Sequence, residues 1–210
     1  MPEPRFRRRK EARPAEITRA ALEAFAEQGY AATRVDDVAR RAGVSKGLLY
    51  LYFRTKEELF KAVIRSVVVP RIDALKSSIA DTELSAEEFL RGPFLDFIRK
   101  LPDSPARIVV RLLIAEGPKH PDLTAYYHDQ VISGGLAALR QLIGRGEQDG
   151  AFRATRLGEF PQLLIAPVLM SMIWKTLFQR QHPLDTDKLL ETHIELVLRA
   201  IRADADGGAE

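Results

Sequence analysis

Cysteine is absent from the 210 residues. That excludes a disulfide scaffold, a cysteine-ligated zinc site, an iron–sulfur cluster and a thiol nucleophile. Asparagine is absent too, so no N-linked glycosylation sequon exists. Long apolar runs are missing: the longest uncharged stretch, Phe160 to Trp174, spans 15 residues and carries Pro161 and Pro167, against the ~20 apolar residues of a membrane-spanning helix. The basic N-terminus is followed by no apolar segment, so it does not read as a secretory signal. Sustained strand alternation is missing as well. These absences predict a cytoplasmic, all-α protein without a membrane partner.

What is present is a globular balance, 46% hydrophobic and 29% charged residues, in a chain long enough to bury its own core. The net charge of +3 is unevenly spread. Residues 1–60 hold 13 basic and 9 acidic side chains, and the rest hold 19 and 20. The densest run is Arg5-Phe6-Arg7-Arg8-Arg9-Lys10. A basic arm (residues 1–13) beside a neutral body suggests a polyanion at one end.

Helical periodicity runs through the chain, with about nine helices and no repeat. Ile17, Ala20, Ala21, Ala24 and Phe25 make one apolar face, and Gly29 is expected to stop that helix as a left-handed cap. Thr33-x-x-Asp36 reads as a capping-box start for a second helix, whose inward positions are Val35, Val38, Ala39 and Ala42. Gly43 stops it, and Ser45 caps a third carrying Leu48, Leu49 and Tyr52. A fourth runs from Lys56 to Val69, closed or kinked at Pro70. Later helices are expected over Ser85–Leu101, interrupted at Gly92-Pro93; from Ser104-Pro105 to Gly117-Pro118; from Pro121 to about Gln148, with Gly150 beyond; from near Leu157 through Pro161 and Pro167; and from Thr186 to Arg202. The tail from Asp204 is expected to fray.

The tight turn Ala42-Gly43-Val44 between two short helices has helix-turn-helix spacing. Counting from Val35, Ala39 falls where two helices cross and must be small, Gly43 falls at the sharp turn, and Val38, Val44 and Leu49 fill the core between them. The stretch Gly43-Val44-Ser45-Lys46-Gly47-Leu48-Leu49-Tyr50-Leu51-Tyr52-Phe53-Arg54-Thr55-Lys56-Glu57-Glu58-Leu59 then closely resembles the signature of the TetR/AcrR family of transcriptional regulators. The resemblance starts at Ile17, takes in Thr33 and Val38-Ala39, and covers roughly the first 60 residues. Around Leu113-Ile114-Ala115-Glu116-Gly117-Pro118 it is far less specific.

The resemblance implies a helix-turn-helix DNA-binding domain over residues 14–60 and a ligand-binding and dimerisation bundle over residues 61–210. It also implies a third helix lying in the major groove with Ser45, Lys46, Gly47 and Leu48 toward base edges. Tyr50, Tyr52 and Lys56 match phosphate-contacting places, and Thr33 and Arg34 stand at the start of the second helix, where its dipole favours a phosphate. Leu48 departs from the Thr, Ala or Ser that many members carry: it either touches a thymine methyl or fills space. Lys46 reaches a guanine edge or a phosphate.

The expected partners are a palindromic DNA duplex, a second copy docked through the apolar last two helices, and an unidentified small-molecule effector whose binding releases a repressor from its operator. No resident cofactor is expected. Candidate effector-pocket residues are Phe94, Phe97, Arg111, Tyr126, Tyr127, His128, Met170, Trp174 and Phe178. Against an enzyme stand the absence of His-Glu-x-x-His and of a Walker-type lysine, and a Gly144-Arg145-Gly146 followed by Gly150, one residue too far for a dinucleotide fingerprint. His120, Asp122 and His128 do not share one helix face, so they make a poor metal cluster. The remaining alternative is a non-specific binder of DNA or an anionic surface through the arginine arm.

Overall fold

The computed structural model describes residues 5–203, with side chains from residue 13 onward. The side chains of the Arg5–Lys10 arm and the tail from Asp204 lie outside those described. The elements are α1 (Arg5–Ala32), α2 (Val35–Arg41), α3 (Lys46–Tyr52), α4 (Lys56–Val67), α5 (Val69–Ala80), α6 (Ala86–Phe89), α7 (Leu95–Lys100), α8 (Ala106–Glu116), α9 (Pro121–Tyr127), α10 (Ser133–Gln148), α11 (Gln162–Leu177) and α12 (Thr186–Ile201). Among the described residues the only extended pairing is an isolated bridge between Phe152 and Arg202. The expected all-α class is what the chain adopts.

Two compact units are built from these helices. The first takes the chain up to Pro70 together with Ile108–Gln130. Its core is Ile17, Ala21, Phe25, Val38, Leu49, Leu59, Phe60 and Val63, all at most 1% exposed. Phe25 and Phe60 meet edge to face at 5.5 Å, and Tyr30 packs on both at 5.6 and 5.4 Å. The second unit takes Arg71–Arg107 and the chain from Val131. Phe89, Leu90, Phe94 and Ile98 there pack with Leu142, Leu164, Leu190, Ile194 and Leu198. Salt bridges lace α12 and its C-cap to the α6–α7 rod: Arg202 to Glu87, Arg91 to Glu195 and Arg99 to Glu191, with Arg91 also paired to Glu87 inside the rod.

Several boundaries differ from the sequence reading. Gly29 does take positive φ (78°), but with ψ 168° it is not a left-handed cap, and a further turn runs to Ala32. Arg34, not Thr33, occupies the N-cap of α2, with no side-chain cap. The fourth helix yields at Val68 and resumes as α5, where Pro70 sits in the first turn and forfeits no helical hydrogen bond. Gly92-Pro93 does not interrupt its helix. The missing proline N–H is absorbed in one π turn, Leu90–Phe94, joining α6 to α7. A second π turn, His128–Ile132, joins α9 to α10 within the long helix expected there. The helix expected from Leu157 begins only at Gln162, behind Pro161. Ser104 caps α8 as expected, accepting from the Ala106 N–H at 3.3 Å.

Candidate nucleic-acid interface

The α2–α3 hairpin is set by backbone geometry that its residues make inexpensive. Gly43 has φ 64°, which a side chain would resist. The Val44 N–H closes the turn on the Ala39 carbonyl at 3.0 Å, and Ala39 is 3% exposed at the crossing. Ser45 caps α3 by accepting from the Leu48 N–H at 3.1 Å. Leu49 is fully buried and anchors the helix. Arg41 ties α2 to α1 through Glu27 (2.8 Å) and Glu23 (3.6 Å). The result is a short helix held from behind, with its other side open.

That open side carries Ser45, Lys46, Gly47, Tyr50, Leu51 and Arg54, all exposed. Lys46 lies 2.8 Å from Asp36 on α2, and this hydrogen bond holds its ammonium above the usual lysine range. Lys46 also sits 6.0 Å from the Tyr50 ring. Arg34 is exposed at the start of α2, and Arg40 pairs with Asp37. Leu48 and Tyr52 are half-buried between the two sides.

Two expected phosphate contacts are turned inward instead. Thr33 is 2% exposed, and its hydroxyl donates to the carbonyls of Gly29 (2.6 Å) and Ala24 (3.2 Å). The reason is Gly29: its extended ψ bends the end of α1 and leaves carbonyls without helical donors, which Thr33 satisfies. Lys56 completes the same closure. Its Nζ donates to the carbonyls of Tyr30 (2.8 Å), Ala31 (3.0 Å) and Thr33 (3.2 Å), and lies 4.6 Å from the Tyr30 ring centroid. Burial pushes its pKa down, partly offset by Glu116. All three contacts hold the ammonium against the end of α1.

Gly43-Val44-Ser45-Lys46-Gly47 also spells the Gly-x-Ser-x-Gly pattern of a hydrolase elbow. That elbow needs a strand before the serine. Here α2 precedes it, and the Ser45 oxygen is engaged as a helix cap.

The family comparison fits this geometry. The description "Bacterial regulatory proteins, tetR family" matches residues 17–63, and "Tetracyclin repressor-like, C-terminal domain" matches residues 84–197. The chain belongs to the TetR family. Members of this family are transcriptional regulators and not enzymes. The chain is similar to the transcriptional activator FasR of Mycolicibacterium smegmatis, 36% identical over 81 residues, 38% of this chain and 37% of FasR; it therefore spans just over a third of that relative's length. Among solved structures it is similar to FadR of Bacillus subtilis in complex with stearoyl-CoA (TM-score 0.74, 22% identity, 90% of this chain and 99% of that one). It is also similar to SmeT, the repressor of a Stenotrophomonas maltophilia efflux pump, in complex with triclosan (TM-score 0.77, 21% identity, 92% and 93%).

In this TetR-family chain the nine candidate effector residues are divided between the two units, four in the first and five in the second. In the first unit, Arg111 donates to the Ala26 carbonyl at 2.7 Å, and the Tyr126 ring lies 5.6 Å from the Lys61 ammonium. These two tie the Ile108–Gln130 segment to α1 and α4. Burial pushes the Tyr127 phenol up to about 12. His128 is exposed and pairs with Asp129 at 3.1 Å. In the second unit, Phe94 is fully buried core, with the half-buried Phe97 ring 6.5 Å away. Trp174 donates to the His182 carbonyl at 2.8 Å and meets Phe178 at 5.2 Å. Met170 on α11 and Phe178 just past its end are 44% and 45% exposed. Among the described residues no cluster of His, Asp and Glu could hold a metal ion, and no helix is long and apolar enough to cross a membrane. His120 packs edge-on to Tyr30 at 5.0 Å instead.

The residue that sequence reasoning passed over is Leu51, 80% exposed in the last turn of α3. The signal was available: Leu51 stands four residues after Gly47, on the opposite side of the helix from buried Leu49.

Proposed function

We propose that the protein is a homodimeric, sequence-specific DNA-binding repressor whose α3 enters the major groove and whose hold on DNA is relieved by a small-molecule effector. The observation that carries this reading is α3 itself: a capped helix anchored by Leu49, with Ser45, Lys46, Gly47, Tyr50, Leu51 and Arg54 exposed on its other side. Selection from randomised duplexes should enrich a two-fold palindrome with half-sites about 34–36 Å apart or a multiple of that spacing. Uniform, purely salt-dependent binding to all duplexes would instead leave the arginine arm as a non-specific binder.

The second copy is supported by an apolar stripe on the last two helices. Leu163, Met170 and Leu177 recur every seven residues along α11 and are 53%, 44% and 58% exposed, and Leu196 on α12 is 60% exposed. Such a stripe is costly in water and suits a symmetric helical interface. The effector search begins with molecules that have a long or aromatic apolar body, because FadR was solved with stearoyl-CoA and SmeT with triclosan. The route of the signal is the Ile108–Gln130 segment, which shares a unit with the reading head and grips it through Arg111, His120 and Tyr126. Transcription from the selected site, measured with and without the regulator, fixes the sign; increased transcription would make the protein an activator, as FasR is named.

A further inference from the structure

The outward side of α3 contains a gap that nothing in the protein explains. Gly47 has no positive φ, so its backbone does not require glycine. A Cβ placed there would meet no atom within 4 Å, so packing does not require glycine either. Glycine is a weaker helix former than alanine, and Gly47 stands in the first turn of the seven-residue α3. The space over Gly47 is therefore left open toward the outside of the subunit. One turn later stands Leu51, 80% exposed. Helical side chains lean toward the N-terminus, and positions i and i+4 stack on one face. Leu51 and the bare backbone of Gly47 thus share one face, with every Leu51 side-chain atom more than 4 Å from where a Gly47 Cβ would stand, and together they bound an open notch with a backbone floor.

We propose that this notch receives the 5-methyl group of a thymine on the major-groove edge of each half-site, with Leu51 as a specificity-determining residue. The inference rests on the DNA-binding reading above and deepens it. The methyl is the one apolar feature in the major-groove pattern, and the notch offers it an apolar wall without a competing donor. Leu48, to which the sequence pointed for this contact, is half-buried, with its N–H bonded to Ser45. Lys46 is drawn aside toward Asp36, which leaves the Gly47–Leu51 face clear. Covering both residues also removes from water a leucine that gains nothing by being exposed.

The test uses the full-length protein and the duplex it selects. Each thymine is replaced in turn by uracil, which removes the methyl and keeps every hydrogen-bonding group. For the wild type, one thymine per half-site should matter, with binding weakened roughly fourfold per half-site, as expected for one buried methyl. Leu51→Ala should bind the parent duplex more weakly and be indifferent to that uracil. Gly47→Ala should fill the notch and lose the same discrimination, while its melting temperature holds or rises; that thermal readout separates a filled notch from a misfolded head. A wild type indifferent to every uracil, or a sensitivity that survives in both variants, overturns the notch alone. Failure to enrich any duplex overturns the DNA-binding reading and the notch with it.

Discussion

Replacing Lys56 with methionine keeps the aliphatic stem and deletes the ammonium that closes the end of α1. Three carbonyls, at Tyr30, Ala31 and Thr33, then lose a charged donor at 2.8–3.2 Å. A hydrogen bond to a charged group contributes roughly 1.5–3 kcal/mol net. The three here share one ammonium, and the Ala31 contact is open to water, so a loss of about 2 kcal/mol is expected rather than the sum. That is a large fraction of the 5–15 kcal/mol typical of a folded domain. Urea unfolding should show a lower midpoint with an unchanged slope. Affinity for the selected duplex should fall only as far as the head becomes disordered, and the dependence of log K on log salt should keep its slope. The opposite pattern refutes the reasoning: if Lys56 binds phosphate, stability should be unaltered and the slope should flatten by about 0.9 for each lysine in the complex.

Glu87 is held at about 2, from 4.5 for the free side chain, chiefly by its hydrogen bond from Arg202, with Arg91 adding to it. A carboxyl lowered on folding stabilises the fold above its unfolded pKa and loses that contribution as pH falls from 4.5 toward 2. Solvent screening limits the effect to about 1 kcal/mol, and Glu87→Gln should remove this part of the acid limb in urea titrations between pH 5 and 2.5. Gly146→Ala should cost about 1–3 kcal/mol by overpacking, because a Cβ there would stand 2.9 Å from Ala86 and closer still to the Phe152 ring; an unchanged unfolding midpoint would count against it. Leu177→Glu with Leu196→Glu should convert the dimer to monomer in sedimentation while leaving the helical signal intact, and a dimer that persists would place the interface elsewhere. Arg111→Ala should leave effector binding unchanged but weaken the coupling between effector and DNA, read as a smaller shift in duplex affinity at saturating effector.

The reading head was legible in the sequence because its constraints are local. Gly43 and Ala39 lie four residues apart, and each position fixes one feature, a positive φ and a close crossing. Helical periodicity and turn residues likewise placed most helices of the second unit, though none was expected over residues 71–80, where α5 runs. What escaped was whatever depends on partners distant in sequence. The lysine charge at position 56 was plain, but the three carbonyls that use it lie 23 to 26 residues earlier, exposed by the way Gly29 bends α1. Thr33 has a capping residue's chemistry and turned it backward, because donors were scarcer behind it than ahead. Gly92-Pro93 reads locally as a break, yet the helix continues and absorbs the proline in a π turn.

Leu48 and Leu51 show how burial decides between residues that composition cannot separate. Both are leucines on the same short helix, and either could be drawn against a base. Once Leu49 is fixed as the buried anchor, a rotation of about 100° per residue leaves Leu48 flanking the core and carries Leu51 away from it. Lys46 and Lys56 divide in the same way. Lys46 lies on the open side, in an exposed pair with Asp36 that a phosphate or guanine edge can replace. Lys56 lies behind, in contacts that only the fold's own backbone supplies. The sequence signature therefore combines residues that build the head with residues left free on its open side, and the direction in which each side chain leaves its helix separates the two sets.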